Sequence, residues 1–268
     1  MKVHTAQLPG AETSTDRVIV TPDAVIVLDG ASAYLPSAIG PGTYAETLGR
    51  NIAAELHQAP GTPIANAVAE AIRRTSEQLD LRPGASPSST VAILRARPDA
   101  ADLYVLGDSP IHYGIGHRQH SLTDDRLSAV ATPEREHYRA QLRAGHGYDD
   151  AHHAALVHLQ RTQQQARNVE GGYWIAETDP AAAHHALTTS VERDMIEWAV
   201  LATDGAADLI EHAGHRWHRI AQYDDAQLTA LLARVHEWED TSDPDGRHLP
   251  RAERHDDKTI AALASIWT

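Results

Sequence analysis

Acidic residues stand at the ends of several apolar runs in this sequence. The run "VIVL" at 25–28 stops at Asp29-Gly30, and "WAVLAT" at 198–203 stops at Asp204-Gly205. An aspartate-glycine pair is a common turn after a strand. The end of a strand is also a rigid place to mount a carboxylate, and a glycine lets the backbone come close to a ligand. For one pair taken alone, both readings stay open.

Further carboxylates occur in the same kind of position. Asp108 stands between "YVLG" and "SPIHY", and Asp256 and Asp257 precede the apolar stretch "KTIAAL". If these strand ends meet in the fold, the carboxylates form a cage of hard oxygens, which Mg²⁺ and Mn²⁺ prefer over nitrogen or sulfur ligands. Two neighbouring ions could lower the pKa of a shared water and neutralise the oxygens of a transferring phosphoryl group. The pattern therefore indicates metal-assisted phosphate chemistry.

The composition excludes other classes of site and partner. The 268 residues contain no cysteine, which rules out disulfides and thiolate metal sites. The formal net charge of −14 argues against binding to nucleic acid or to an anionic membrane, because both need a basic surface. No apolar run approaches the roughly 18 residues of a membrane span, and the N-terminal residues lack the apolar core of a signal peptide. A cytoplasmic protein is expected.

Histidine is frequent but does not point to a metal site. Of the 18 histidines, adjacent pairs stand at 152–153 and 184–185 in alanine-rich sequence. Neighbours on a helix point about 100° apart, so such pairs are poor joint ligands. We expect both pairs to lie on the surface.

Strands and helices alternate in blocks along the chain. Strands are predicted at 17–20, 24–29, 90–97, 101–109, 110–117, 171–177, 185–191, 196–205 and 258–266. Helices are predicted at 43–57, 63–79, 205–211 and 224–237, with a polar helical stretch at 133–167. The short connections between 90 and 117 predict an antiparallel meander. Blocks of strands and helices, without strict alternation, indicate a single α+β layered domain over residues 1–268.

The ordered set "STDR", "VLDG", "SSTVAIL", "LYVLGDS", "WAVLATDG" and "DDKTIAAL" resembles the protein phosphatase 2C (PPM) family of metal-dependent Ser/Thr phosphatases. The resemblance spans residues 12 to 266. It implies a four-layer α-β-β-α sandwich of two antiparallel sheets flanked by helices, with a dinuclear site at one end. The stretch at about 133–167 falls where family members carry a variable flap. We expect this stretch to pack outside the sandwich as a mobile or poorly ordered segment, because its charge density leaves little apolar face to bury.

The resemblance also assigns roles to individual residues. It implies that Asp29 bridges two Mn²⁺ or Mg²⁺ ions and that Gly30 is a ligand through its carbonyl. By the same likeness, Asp204 and Asp256 complete the ligands of the first ion, and Asp108 helps to hold a third, weaker one. Asp16 matches an early aspartate that lies near the metals and supports bound water.

Three positions depart from the family pattern. Thr15 replaces an acidic residue that many members carry before the early aspartate. Ala31 replaces a histidine that many eukaryotic members carry, although bacterial members often lack it. Ala11 stands where a phosphate-binding arginine is usual, so phosphate binding should be weak unless Arg17 or another residue substitutes.

Other functions fit the residues less well. A haloacid-dehalogenase-like phosphatase needs a second aspartate two residues from its nucleophile, where Val27 and Ala31 flank Asp29. Ser109 is not surrounded by a G-x-S-x-G nucleophile elbow. A non-enzymatic phosphatase-like module that binds a partner remains an alternative. The prediction is therefore a phosphoserine or phosphothreonine protein phosphatase, expected to be monomeric, in which a metal-activated water attacks phosphorus directly.

Overall fold

The computed structural model describes residues 1–31, 38–84 and 86–267. Ten strands form two five-stranded sheets in which every strand pair is antiparallel. The strands are β1 His4–Leu8, β2 Arg17–Val20, β3 Ala24–Leu28, β4 Val91–Ala96, β5 Ala100–Leu106, β6 Ile111–Ile115, β7 Arg118–Leu122, β8 Leu187–Glu192, β9 Ile196–Ala202 and β10 Lys258–Leu263. One sheet has the order β1-β10-β9-β6-β7 and the other β2-β3-β4-β5-β8.

Helices cover the outer faces of both sheets. They are α1 Pro41–Gln58, α2 Ile64–Gln78, α3 Arg126–Ala129, α4 Thr132–Ala144, α5 Asp150–Gln165, α6 Asp204–His212, α7 Trp217–Ile220 and α8 Asp225–Thr241, with a short 3-10 helix at Pro180–His185. Helices α1 and α2 pack on the sheet that contains β3 and β4, while α6, α7 and α8 pack on the sheet that contains β9 and β10. The architecture is therefore the expected α+β, four-layer α-β-β-α sandwich.

The alternation of side chains along β3 shows how the layers form. Ile26 and Leu28 face α1 and α2, whereas Val25 and Val27 lie between the two sheets. Successive residues of a strand point to opposite faces, so a strand buried on both sides is apolar throughout. This is why "AVIVL" shows no polar alternation, and why its end at Asp29 is an abrupt change of chemistry.

The predicted meander between 90 and 117 is wrong in its second half. Strands β4 and β5 do pair with each other, but β5 and β6 belong to different sheets. β6 pairs instead with β7 and β9. The turn at Gly107, Asp108 and Ser109 thus carries the chain from one sheet to the other. Gly107 has a φ of +88°, and a Cβ there would lie 2.9 Å from a side-chain carbon of Thr90.

Two other local predictions need correction. The predicted strand at 171–177 is an irregular segment with isolated bridges, including Ser89 to Ala176. Of the histidines expected on the surface, His152 is buried: one ring nitrogen lies 2.7 Å from the carbonyl oxygen of Ala252. Its ring also meets the edges of Tyr138 and Tyr148.

The stretch at 133–167 corresponds to α4 and α5, which pack against each other. They bury a small apolar cluster of Tyr138, Leu142, Leu156 and Leu159, which is separate from the three clusters of the sandwich. The segment therefore buries more apolar surface than its charge density suggested. That it moves as a flap stays a prediction.

In the described part of the chain, none of the helices has the length and apolar character needed to span a bilayer.

Candidate metal centre

The acidic strand ends meet at one edge of the sandwich. Asp29 follows β3, Asp108 follows β5, Asp204 begins α6 just after β9, and Asp256 lies two residues before β10. All four line a single cavity of about 160 Å³. Residues that are up to 227 positions apart in sequence therefore line one cavity. The sequence pattern alone left open whether these strand ends meet in the fold.

Two glycines allow this convergence. A Cβ at Gly205 would lie 2.3 Å from the carbonyl oxygen of Asp257 and 2.9 Å from the Cβ of Asp256. A Cβ at Gly30 would lie 2.7 Å from the carbonyl oxygen of Thr15. Glycine is needed here for close backbone approach. The turn from β9 to α6 consequently lies directly against the turn that precedes β10.

The carboxylates raise one another's pKa. Burial raises the pKa of Asp29 and of Asp256 well above the usual range, and the charge of Asp204 adds to both effects. Burial, followed by the charge of Asp204, raises the pKa of Asp108 to about 7. No lysine, arginine or histidine of the described residues forms an ion pair with these four carboxylates. The cluster is thus an accumulation of buried negative charge without an internal counterion, which is unfavourable unless a cation or protons compensate it.

Asp16 lies behind the cluster and is held by hydroxyls. Its Oδ2 accepts a hydrogen bond from Thr203 Oγ1 at 2.9 Å, and Thr203 Oγ1 in turn accepts one from the amide of Thr259 at 3.0 Å. Its other oxygen, Oδ1, is buried and has no hydrogen-bond partner among the described residues. Burial is the main reason that the pKa of Asp16 is raised to about 7.

The backbone around Asp29 is fixed by hydroxyl side chains. The Asp29 amide donates to Thr90 Oγ1 at 3.2 Å, and its carbonyl oxygen accepts from the Thr90 amide at 3.0 Å. The carbonyl oxygen of Gly30 accepts from Thr15 Oγ1 at 2.9 Å, which leaves one lone pair. Thr15, the departure from an acidic residue, therefore has a hydrogen-bonding role of its own.

Asp257 fastens the loop that leads to Asp16. Its Oδ1 accepts from the amide of Gly10 at 2.8 Å, and its Oδ2 accepts from the amide of Thr15 at 2.6 Å. The hydroxyl of Thr15 lies 2.9 Å from both this Oδ2 and the carbonyl oxygen of Gly30, and shares its one proton between them. Sequence reasoning noticed Asp257 but gave it no role. The sequence "DD" does not show which of the two aspartates faces the cavity and which one binds a distant loop.

Asp208 was missed altogether. It lies one helical turn after Asp204 and lines a second cavity of about 130 Å³ together with Asp108, Asp204 and Glu211. Asp208 is exposed at the surface, yet partial desolvation in this cavity raises its pKa, and the charges of Asp204 and Glu211 contribute. The signal was present, since residues i and i+4 of a helix lie on one face and a helix was predicted directly after Asp204.

The expected substitute for the missing arginine is already engaged. Ala11 is exposed, and Arg17 pairs through Nε with Glu46 at 2.7 Å. Arg17 Nη1 donates to the carbonyl oxygens of Ser14 and Asp16 at 2.8 and 2.6 Å. Arg17 therefore supports the loop. The arginines that line the cavity come from elsewhere and are Arg135 and Arg167.

A second group with metal-ligand spacing lies on the far side of β10. Ligand atoms of His236, Glu239 and His255 lie within 4.8 Å of one another. However, Lys258 Nζ is 2.8 Å from Glu239 Oε2, and Arg251 Nε is 3.3 Å from Oε1. Two cations already neutralise this glutamate, so a divalent ion would meet positive charge. We read the group as a buried ion-pair network.

Comparison with known proteins identifies the fold. No protein-family model and no curated protein matches the chain. Among solved structures, the PPM Ser-Thr phosphatase MsPP from Mycobacterium smegmatis in complex with cacodylate is 20% identical, with a TM-score of 0.56 and coverage of 98% of both chains. Serine/threonine phosphatase Stp1 from Staphylococcus aureus is 10% identical, with a TM-score of 0.57 and coverage of 97% of this chain and 93% of that one. PstP/Ppp from Mycobacterium tuberculosis is 13% identical, with a TM-score of 0.55 and coverage of 98% of both chains. This chain therefore has the fold of the PPM Ser/Thr phosphatases along nearly its whole length.

Proposed function

We propose that the protein is a divergent PPM-type phosphatase, a metal-dependent phosphomonoesterase that acts on phosphoserine or phosphothreonine in proteins or peptides. The observation that carries this proposal is the convergence of Asp29, Asp108, Asp204 and Asp256 on one cavity without an internal counterion. The shared fold and the order of the motifs support the same function.

The residues fit two Mn²⁺ or Mg²⁺ ions. The donors are carboxylate and carbonyl oxygens, the ligand type that these ions prefer. The unpartnered Oδ1 of Asp16 is a buried polar atom of the kind that an ion or a bound water normally satisfies. On this proposal the carboxylates of Asp29, Asp204 and Asp256 and the carbonyl oxygen of Gly30 would hold the ions.

When bound, the ions would lower the pKa of a bound water. They would also place positive charge next to the phosphoryl oxygens. The side chains of the protein would do the rest. Asp29, Asp204 and Asp256 would hold the ions at strand ends that cannot move independently. Asp16, fixed by Thr203 and with a pKa of about 7, would accept a hydrogen bond from water in the cavity and keep that water oriented.

A third, weaker ion is proposed between Asp108 and Asp204. The structure adds Asp208 to the candidate ligands, because it lines the same small cavity as these two residues. Asp208 lies one turn along α6, so its position is set by this helix and not by the end of a strand.

The test is hydrolysis of p-nitrophenyl phosphate and of a phosphothreonine peptide by purified protein, with Mn²⁺ and then with excess chelator. We expect turnover that requires the ion and returns when Mn²⁺ is added back. A protein that binds Mn²⁺ but hydrolyses neither ester would instead be the non-enzymatic binding module.

A further inference from the structure

Arg135 is distinguished among the cationic residues near the site by having no carboxylate partner. It lies on the first turn of α4, lines the same cavity as Asp29, Asp108, Asp204 and Asp256, and forms no ion pair with a described residue. Arg167, the other arginine of the cavity, is 3.4 Å from Glu177 Oε1 and donates to the hydroxyl of Tyr173. The charge of Arg167 is thus balanced, whereas that of Arg135 is not.

The guanidinium of Arg135 is held in place by backbone carbonyls. Its Nη2 donates to the carbonyl oxygen of Leu127 at 2.8 Å and to that of Val130 at 3.4 Å. Its Nε also lacks a partner among the described residues but is itself buried. Its Nη1 donates to none of the described residues. An oriented guanidinium with a free Nη1 can make a charge-assisted hydrogen bond to a phosphate oxygen.

Arg135 lies close to the acidic cluster without pairing with it. Arg135 and Asp108 line the same cavity, and no ion pair joins Arg135 to a carboxylate of the described residues. A phosphoester in the cavity would have the carboxylate cluster on one side and this cation on the other. A group that carries negative charge yet must sit beside carboxylates needs such a cation in addition to the bound ions.

We propose that Arg135 binds the phosphate of the substrate and thereby replaces the arginine that is absent at Ala11. The inference rests on the proposed phosphatase function. It moves phosphate recognition from the loop before Asp16 to helix α4, so the packing of α4 on α5 sets the position of the phosphate-binding group. Arg17 does not take this role, because Glu46 and two carbonyl oxygens occupy its donors.

The first experiment compares Arg135→Ala with the wild type. A charge-assisted contact made equally in the ground and transition states changes KM and leaves kcat in place. We expect KM for p-nitrophenyl phosphate to rise about ten- to a hundredfold, with Arg135→Lys in between. Arg143→Ala is the matched control, since Arg143 lies on the same helix, pairs with Glu136 and does not line the cavity. An unchanged KM in Arg135→Ala, or an equal rise in Arg143→Ala, would overturn the proposal.

A second readout does not need turnover. Titration calorimetry of the Mn²⁺-loaded protein with inorganic phosphate should show about ten- to a hundredfold weaker binding in Arg135→Ala, while Mn²⁺ affinity stays the same. This separates the two hypotheses: a wild type that binds phosphate through Arg135 but hydrolyses no ester disproves only the enzymatic function. If Arg167→Ala weakens phosphate binding and Arg135→Ala does not, the assignment to Arg135 is wrong.

Restoring the absent arginine gives a rescue test. Ala11 is exposed, so Ala11→Arg is tolerated sterically. Combined with Arg135→Ala, it should recover most of the lost phosphate affinity, because one cation then replaces the other. A double variant that is no better than Arg135→Ala, together with normal thermal unfolding of both, would argue that Arg135 acts through the structure of α4 and not through phosphate.

Discussion

Residues 255–258 contribute to two different groups of carboxylates, and only one of these groups is paired with cationic side chains of the described residues. Glu239 is completely buried, with Lys258 Nζ at 2.8 Å and Arg251 Nε at 3.3 Å. Asp29 and Asp256 are half-buried where they line the cavity, and no cationic side chain of the described residues pairs with them. The first group is a completed ion-pair network, and the second still needs positive charge.

Lys258 shows how sharply the two groups are separated. It is two residues from Asp256, yet its ammonium contacts Glu239 and the backbone carbonyl oxygen of Asp256 at 2.8 Å, not the Asp256 carboxylate. A lysine on the carboxylate would occupy the place of an ion. The two groups therefore differ in whether a described ammonium or guanidinium pairs with their carboxylates, rather than in the number of acidic residues.

The largest expected effect comes from Asp29→Asn in the unpaired cluster. Removing the shared charge should lower Mn²⁺-dependent turnover of p-nitrophenyl phosphate by ~10³-fold or more, since the ions contribute several kcal/mol to the transition state. Stability without metal should stay equal or rise, because a buried repulsion is removed. Asp204→Asn and Asp256→Asn should behave alike, while the exposed Asp194→Asn serves as the control. Normal turnover and normal Mn²⁺ affinity in all three cluster variants would disprove the dinuclear site.

Glu239→Gln should have the opposite effect on stability from Asp29→Asn, because it should destabilise the protein. It leaves Lys258 as a buried cation without a counterion, which costs about 3–5 kcal/mol of unfolding free energy. Urea unfolding followed by circular dichroism measures this, with the exposed Glu237→Gln on the same helix as the control. A loss below about 1 kcal/mol would show that Arg251, Lys258 and the histidines do not depend on Glu239, and the contrast between the two groups would fail.

Added Mn²⁺ should stabilise through one group only. At a hundredfold excess over Kd, binding to the folded state contributes about 2.7 kcal/mol. We expect this gain in the wild type and in His236→Asn, but not in Asp29→Asn. If His236→Asn abolishes the gain and Asp29→Asn keeps it, the ion binds at the His236, Glu239 and His255 group instead.

His112 gives a smaller and pH-dependent test of a third case, a buried group without a hydrogen-bond partner among the described residues. Burial lowers its pKa from 6.5 to about 4, its ring stacks on Trp217, and Glu211 lies 3.8 Å from Nε2. Above pH 6.5 the ring of His112 is neutral in the folded and in the unfolded protein. As the pH falls below 6.5, the ring is protonated in the unfolded chain but stays neutral in the folded protein. Stability should therefore fall with pH, by about 2 kcal/mol at pH 5.

The measurement for His112 is the difference between two proteins. Asp108 and Asp208 line the same cavity and also have a pKa of about 7, so they titrate in the same range. Urea unfolding of the wild type and of His112→Gln at pH 7 and pH 5 cancels their contribution. Parallel losses in both proteins would show that His112 does not contribute.

The sequence singled out carboxylates that the structure brings to one cavity, but it did not predict the full strand topology. Asp29, Asp204 and Asp256 follow or precede strands that are apolar throughout, so a carboxylate there stands out, and "DG" predicts the turn. The crossing of β5 to β6 between sheets could not be predicted in this way. Strands buried on both faces lack alternation, and nothing local then determines which sheet a strand joins.

Arg135 and His152 show a different limit. Both belong to polar helices whose pattern predicts a solvent-exposed surface. Arg135 instead contacts the carbonyl of Leu127 in the segment just before its helix, beside the cavity, and His152 contacts the distant Ala252. Their roles depend on the tertiary packing of α4 and α5, which the local sequence pattern does not determine. Asp208 differs, because its i, i+4 spacing from Asp204 can be recognised in the sequence.

The position of β10 between β1 and β9 has a consequence for biosynthesis. The first sheet joins residues 4–8 to residues 196–202 only through residues 258–263. At roughly 5–20 residues per second, a ribosome needs on the order of tens of seconds to go from the first of these strands to the last. During that time β1 and β9 lack the strand that lies between them, and Asp256 is absent from its cluster. A nascent chain can therefore neither close this sheet nor assemble the complete acidic site until residues 256–263 have been synthesised.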